Sequence, residues 1–160
     1  DINVVASHLP LERHPQHGNN ASLGRLMGIE APEALDPEDP GTPVFRGQLE
    51  GSVTVQGLAA RLSIALDRSP LVIGEGDVKS VAWCTGAGQG YIDLAADAGA
   101  DVYVTGEVSE QTAHVALERG IAFIGAGHHA TERYGVQAVG SLAAEALGLS
   151  HEFIDIDNPA

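Results

Sequence analysis

Hydrophobic positions along the chain follow two periods, one near 2 and one near 3.6, and their alternation sets out the elements. Residues 2–7 (INVVAS) form an apolar run that predicts a buried strand. Residues 18–28 (GNNASLGRLMG) predict a helix, capped by Asn19 or Asn20 and stopped by Gly28. A strand is expected near 44–51. After it, Thr54 stands where it caps a helix that turns Val55, Leu58, Leu62 and Leu66 toward a core.

From residue 78 the alternation is regular. Apolar runs at 79–85 (KSVAWCT), 101–105 (DVYVT), 121–126 (IAFIGA) and 151–156 (HEFIDI) predict strands. Between them lie helical patterns around 91–99 (YIDLAADAG), 109–120 (SEQTAHVALERG) and 130–147. Short strands alternating with amphipathic helices predict an α/β fold of mostly parallel βαβ units with helices on the sheet faces.

One segment breaks the pattern. Residues 31–43 (APEALDPEDPGTP) hold four of the eight prolines and four acidic residues without clear periodicity, as an exposed linker or long loop would. The chain then divides into 1–30, the remainder of a first lobe; 31–43, the linker; and 44–160, a second α/β unit. An opening residue Asp1 rather than Met, followed at once by a strand, is expected of a processed or truncated chain.

Composition narrows the ligands. A length of 160 residues with 44% apolar content is enough for a real core. Eight basic against 22 acidic residues give a net charge of −14, which argues against nucleic acid, since phosphate backbones are held by clustered Lys and Arg. An acidic surface is ordinarily a solubility device. The lone Cys84 excludes an intrachain disulfide and fits a reducing compartment. No apolar run reaches the ~20 residues of a membrane span and no secretory leader opens the chain, so a cytoplasmic protein is expected.

In α/β sheets, ligands gather beyond the carboxyl ends of the strands. Those loops read SHLPLERHPQHG (7–18), TGAGQG (85–90), TGEVSEQ (105–111) and GHHATER (127–133). The first and last share H-x-x-x-E-R, as His8 to Arg13 and His128 to Arg133, a degenerate internal repeat. At helical i, i+4 spacing an imidazole and a carboxylate share one face and can meet one cation. Pro10 disfavours helical backbone at Leu9, so the first copy is expected on an irregular turn.

For His128 and Glu132, two readings stand: paired metal ligands, or a carboxylate favourably placed in a helix's first turn. His114 to Arg119 has the same spacing inside a helix, where a surface His with a helical charge partner suffices. Glu107 could orient a ligand, accept a proton, or support a metal-bound His; it could equally be a loop acid ahead of a Ser109 cap. TGAGQG could wrap an anion in backbone N–H groups, although its glycine spacing matches neither G-x-G-x-x-G nor a P-loop. Cys84 reads as a small core residue, and His14, His17 and His151 as solvated.

SHLPLERHPQHGNNASLGRLMGI, VAWCTGAGQGYIDLAADAGADVYVTGEVSEQTAHVALERGI, AGHHATERYGV and FIDIDNPA together resemble the Nif-three-like family, also called GTP cyclohydrolase 1 type 2 homologues. The resemblance covers nearly all 160 residues. It implies a two-lobed α/β protein holding up to two divalent metal ions per subunit, assembled as a ring-shaped homo-hexamer. It also implies metal ligands at Glu12, His128 and Glu132, which leaves His8 to line the pocket or to support a ligand from behind. The family usually has Asp where Glu12 stands. Its N-terminal segment with two adjacent histidine ligands precedes the position of Asp1, so three of the family's five ligands are found here.

Such a set is oxygen-rich and suits Mn, Mg or Fe(II), with Zn or Ni favoured when the two histidines join it; occupancy by these residues alone is expected to be weak. The implied activity is metal-dependent hydrolysis of a cyclic C–N or nucleotide-like small molecule, with Glu107 the candidate proton carrier. The alternative is a metal-handling or regulatory scaffold without turnover, since no nucleophile–base–orienter set appears.

Overall fold

A computed structural model describes residues 2–39 and 41–159. Among them, six strands form one sheet in the order β1-β2-β4-β5-β6-β3. The strands are β1 (Glu33–Ala34), β2 (Phe45–Thr54), β3 (Leu71–Ile73), β4 (Asp77–Cys84), β5 (Val102–Thr105) and β6 (Ala122–Gly125). β4, β5 and β6 run parallel, as the alternation from residue 78 predicts, whereas β1, β2 and β3 pair antiparallel on the flanks. The helices are α1 (Leu9–Glu12), α2 (Asn19–Met27), α3 (Val55–Leu66), α4 (Ile92–Asp97), α5 (Glu110–Arg119) and α6 (His128–Leu147). The chain is an α/β protein with helices on both faces of its sheet.

Strand alternation sorts the core into two layers. Val81 and Trp83 of β4 face a layer built from Leu23 and Met27 of α2, Leu58 and Leu62 of α3, and Ala130 of α6. Ala82 and Cys84 face the other, with Ile92 and Ala95 of α4, Ala116 of α5, Tyr103 and Phe123. Trp83 is fully buried and its Nε1 donates to the Asn20 carbonyl at 2.9 Å, which satisfies the one polar atom of a large apolar ring.

Two expected strands are absent. Ile2, Val4 and Val5 are 93%, 88% and 93% exposed, and residues 151–156 are also without strand pairing. The physical reason is that strands need a partner ladder: β1 and β3 occupy the sheet's outer positions, and no ladder among the described residues reaches either run. Residues 33–34, inside the proline-rich stretch, pair with Arg46 and Phe45 of β2, while Pro40 lies outside the described residues. β3 carries no period long enough to distinguish it from loop, and pairing with β6 creates it.

Local signals explain the helix ends. Thr54 Oγ1 accepts from the Gly57 N–H at 3.0 Å, and Ser109 forms a capping box with Thr112. Gly28 closes α2 at φ +84. Asn19 and Asn20 do not cap α2. Gly18 takes that position, and both amides turn inward instead.

Candidate metal centre

Three strand ends meet at one point of the sheet. The backbone N–H groups of Gly106 and Glu107 donate to Gly86 O at 2.9 and 3.1 Å, and Gly127 N–H donates to Gly106 O at 2.9 Å. The loops after β4, β5 and β6 are therefore stitched together, and what they carry faces the first turn of α6. A Cβ on Gly106 would lie 2.7 Å from His128 Cα, so the stitching requires glycine there.

His128 opens α6 with both ring nitrogens engaged. Its Nδ1 lies 2.7 Å from Glu107 Oε1 and its Nε2 lies 3.1 Å from Glu132 Oε2, the residue one helical turn on. The hydrogen bond that Glu107 accepts raises the His128 pKa, opposed by partial burial and assisted by the charges of Glu132 and Glu107. The same bond holds the Glu107 carboxyl below its ordinary range. Glu132 is pushed up instead, first by burial and then by the charge of Glu12.

Glu12 comes from the first H-x-x-x-E-R copy. Its turn is helical rather than irregular: α1 carries Pro10 in its first turn, where a missing N–H costs no hydrogen bond, and Glu12 N–H donates to His8 O at 3.0 Å. His8 is exposed at the N-cap, near enough that its charge pulls Glu132 slightly down. Glu12 is buried. Asn19 Nδ2 donates to its Oε1 at 2.6 Å, Thr85 Oγ1 donates to its Oε2, and Asn20 Nδ2 donates to its backbone O at 3.0 Å.

These supporting residues escape sequence reasoning. The Asn19–Asn20 pair before an apolar-periodic run has the signature of a cap, and only tertiary packing turns the side chains onto Glu12. Thr131, fully buried within α6, accepts from the Gly86 N–H at 3.0 Å. Thr85 N–H donates to Asn20 Oδ1 and Gly88 N–H to Thr105 Oγ1. The amides of Thr85, Gly86 and Gly88 in TGAGQG are thus taken by side chains and are not turned toward an anion.

Other histidines lie elsewhere. His129 Nε2 faces Asp155 Oδ1 at 3.2 Å, and Arg133 Nη1 meets Asp155 Oδ2 at 2.9 Å, which ties down residues near the C-terminus. His114 is exposed on α5; His14 Nδ1 accepts from the Gln16 and His17 backbone. Cys84 is buried, and desolvation pushes its thiol up to about 12.

Among the described residues, no group of three or more His, Cys, Asp or Glu side chains forms a ready cage for a metal ion. The donor set nevertheless suits one. With the Nδ1 proton donated to Glu107, the Nε2 lone pair of His128 would face Glu132, the arrangement that metal-binding histidines use. Two carboxylates, Glu12 and Glu132, repel each other across the same space, and a cation would relieve that repulsion. Gly86, at φ +66, leaves the space itself: a Cβ there would overlap Glu132 Oε1 and stand 3.0 Å from His128 Nε2.

A mixed α/β sheet with His and Glu side chains gathered at parallel strand ends places the chain in a known class. The sequence profile of Duf34/NIF3 (NGG1p interacting factor 3) matches residues 1–159, and the chain belongs to that family. A Pseudomonas aeruginosa PAO1 relative, named GTP cyclohydrolase 1 type 2 homolog, is 50% identical over 161 residues, covering 100% of this chain and 64% of the relative. The solved structure of protein ybgI, described as of unknown function, superposes with TM-score 0.87 at 46% identity, covering 96% of this chain and 61% of that one. TTHA1606 from Thermus thermophilus gives TM-score 0.85 at 32% identity, with 96% and 61% covered. The chain thus spans less than two-thirds of these relatives' lengths.

Proposed function

We propose that Glu12, His128 and Glu132 bind divalent metal, and that the protein is a metal-dependent hydrolase of a cyclic C–N or nucleotide-like small molecule. The observation that carries the metal assignment is the line Glu107–His128–Glu132, in which one carboxylate sits where it accepts a hydrogen bond from the imidazole Nδ1–H and the other lies on the Nε2 side. Two carboxylates and one imidazole are a hard donor set suited to Mn, Mg or Fe(II). When bound, a divalent cation supplies Lewis acidity toward a ring C=N or carbonyl and toward water.

The chain's own residues do the rest. Glu107 holds the Nδ1 proton of His128 and stays ionised, so it serves better to orient the imidazole than to donate a proton. Asn19, Asn20 and Thr85 fix Glu12. His8 stays outside the ligand set, at the rim.

Calorimetric titration of the chain with Mn²⁺ and Zn²⁺ tests the assignment. Weak Mn²⁺ binding that disappears in Glu132→Ala is expected; tight binding of two ions would show that these residues form more than part of a site. For the hydrolase reading, turnover of candidate cyclic substrates must fall in Glu132→Ala. The second reading is a metal-handling scaffold without turnover, which rests on the sequence offering no nucleophile–base–orienter set. It predicts chelator-sensitive partners in place of hydrolysis. Either way, we propose a cytoplasmic homo-oligomer, a ring-shaped hexamer as in the family resemblance.

A further inference from the structure

Gln89 ends the TGAGQG loop in the short 3-10 turn Gln89–Tyr91. Its Nε2 donates to Glu107 Oε2 at 3.2 Å, while Glu107 Oε1 takes His128 Nδ1. Its Oε1 is buried and has no hydrogen-bond partner, and it is the only such side-chain atom among the described residues. An orphaned buried acceptor is unfavourable, and a native structure keeps one only for a reason.

The reason lies at the other end of the same amide. Turning the group over would aim Oε1 at the Glu107 carboxylate, acceptor against acceptor, so the orphan follows from the requirement that Nε2 donate there. The turn holding Gln89 is itself pinned: Gly88 N–H donates to Thr105 Oγ1 at 3.1 Å, and Tyr103 Oη donates to Gly88 O at 2.7 Å. Tyr103 and Thr105 belong to β5, the strand that also delivers Glu107. Donor and acceptor thus stand on one rigid frame.

The neutral His128 ring has one proton and two carboxylates competing for it. A proton on Nδ1 leaves Nε2 free to accept a cation; a proton on Nε2 is spent on Glu132. We propose that Gln89 is a positioning residue that holds Glu107 against Nδ1 and thereby selects the His128 tautomer whose Nε2 is open to metal. The role acts through Glu107 and needs no contact between Gln89 and a ligand. Its link to metal rests on the ligand assignment above, but the tautomer is a property of the metal-free chain.

The test is Gln89→Met, which keeps length and volume and removes both the donor and the orphaned acceptor. The tautomer is read from ¹⁵N shifts of the His128 ring in the metal-free protein, followed upward in pH until the shifts themselves show the ring to be neutral. Metal binding is read from Mn²⁺ titration. Expected are a shift of the His128 proton toward Nε2, a loss of Mn²⁺ affinity of about three- to tenfold, below the 10–100-fold typical of direct outer-shell partners, and thermal stability unchanged or higher. A purely structural role would instead lower stability and leave the tautomer unmoved, and that result overturns the proposal. So does an unchanged tautomer at unchanged stability. A shifted tautomer with unchanged Mn²⁺ affinity supports the positioning role and counts against His128 as a ligand. Glu107→Gln is the reference variant, in which the same tautomer shift is expected whatever occupies position 89.

Discussion

Gly86 shows how a single missing atom can shape a site. Its left-handed backbone at φ +66 costs glycine nothing, while an added Cβ would overlap the Glu132 carboxylate. Gly86→Ala is therefore expected to displace Glu132 and abolish Mn²⁺ binding in calorimetry. It should also destabilise the fold by about 1–2 kcal/mol through backbone strain alone. Cys84 makes a second residue-level prediction. Its thiol, near 9 when unfolded and about 12 when buried, keeps a proton in the native chain that the unfolded chain loses. The stability it confers is full below pH 9 and is lost as pH rises from 9 toward 12. Wild-type protein should therefore lose stability more steeply than Cys84→Ser over that range in urea titrations, and native Cys84 should resist thiol reagents at pH 8. Type and spacing singled out His8, Glu12, His128 and Glu132 alike, and only the family resemblance narrowed the expected ligands to Glu12, His128 and Glu132. Asn19, Asn20, Thr85 and Thr131 were not legible, because nothing in a neutral side chain's sequence context tells which distant carboxylate or amide it will meet.

At the scale of elements, the Thr54 cap and the helical periods were read correctly, whereas the cap expected at Asn19 or Asn20 falls on Gly18. Thr54 caps α3 through its own side chain, so Thr54→Ala should cost about 1 kcal/mol of stability by denaturant unfolding and leave Mn²⁺ affinity unaltered. The same local reasoning failed for residues 2–7 and 151–156. Their apolar residues have strand composition, but a strand exists only when a neighbouring ladder accepts its N–H and C=O groups, and none does so among the described residues. Pro10 failed in the opposite direction. The restriction that Pro10 places on Leu9 is a bias rather than a prohibition, and in the first turn of α1 the missing N–H has no hydrogen bond to lose.

The whole molecule leaves apolar surface uncovered. Ile2, Val4, Val5, Ile154 and Ile156 are exposed, as are Leu142 and Leu147 on the distal half of α6, whose buried residues end at Gly135. Where such residues form a contiguous patch, exposed apolar surface favours association. Sedimentation velocity is expected to show concentration-dependent self-association, and the double variant Val5→Glu, Ile154→Glu is expected to shift it toward monomer; a wild-type monomer at all concentrations would contradict this. No helix of the described residues is long and apolar enough to cross a membrane.

What the sequence determined by itself was whatever depends on near neighbours: the parallel β4-β5-β6 centre with its helices, the caps at Thr54 and Ser109, and the i, i+4 pairing of His128 with Glu132. Tertiary structure decided everything that joins distant segments. It brought Glu12 against Thr85 at the end of β4, where its charge reaches Glu132, turned Asn19 and Asn20 from caps into clamps, and set Gln89 behind Glu107 at the expense of an orphaned oxygen. Local periodicity fixes which face a side chain takes. Only the crossing of strands and loops fixes which other side chain waits there.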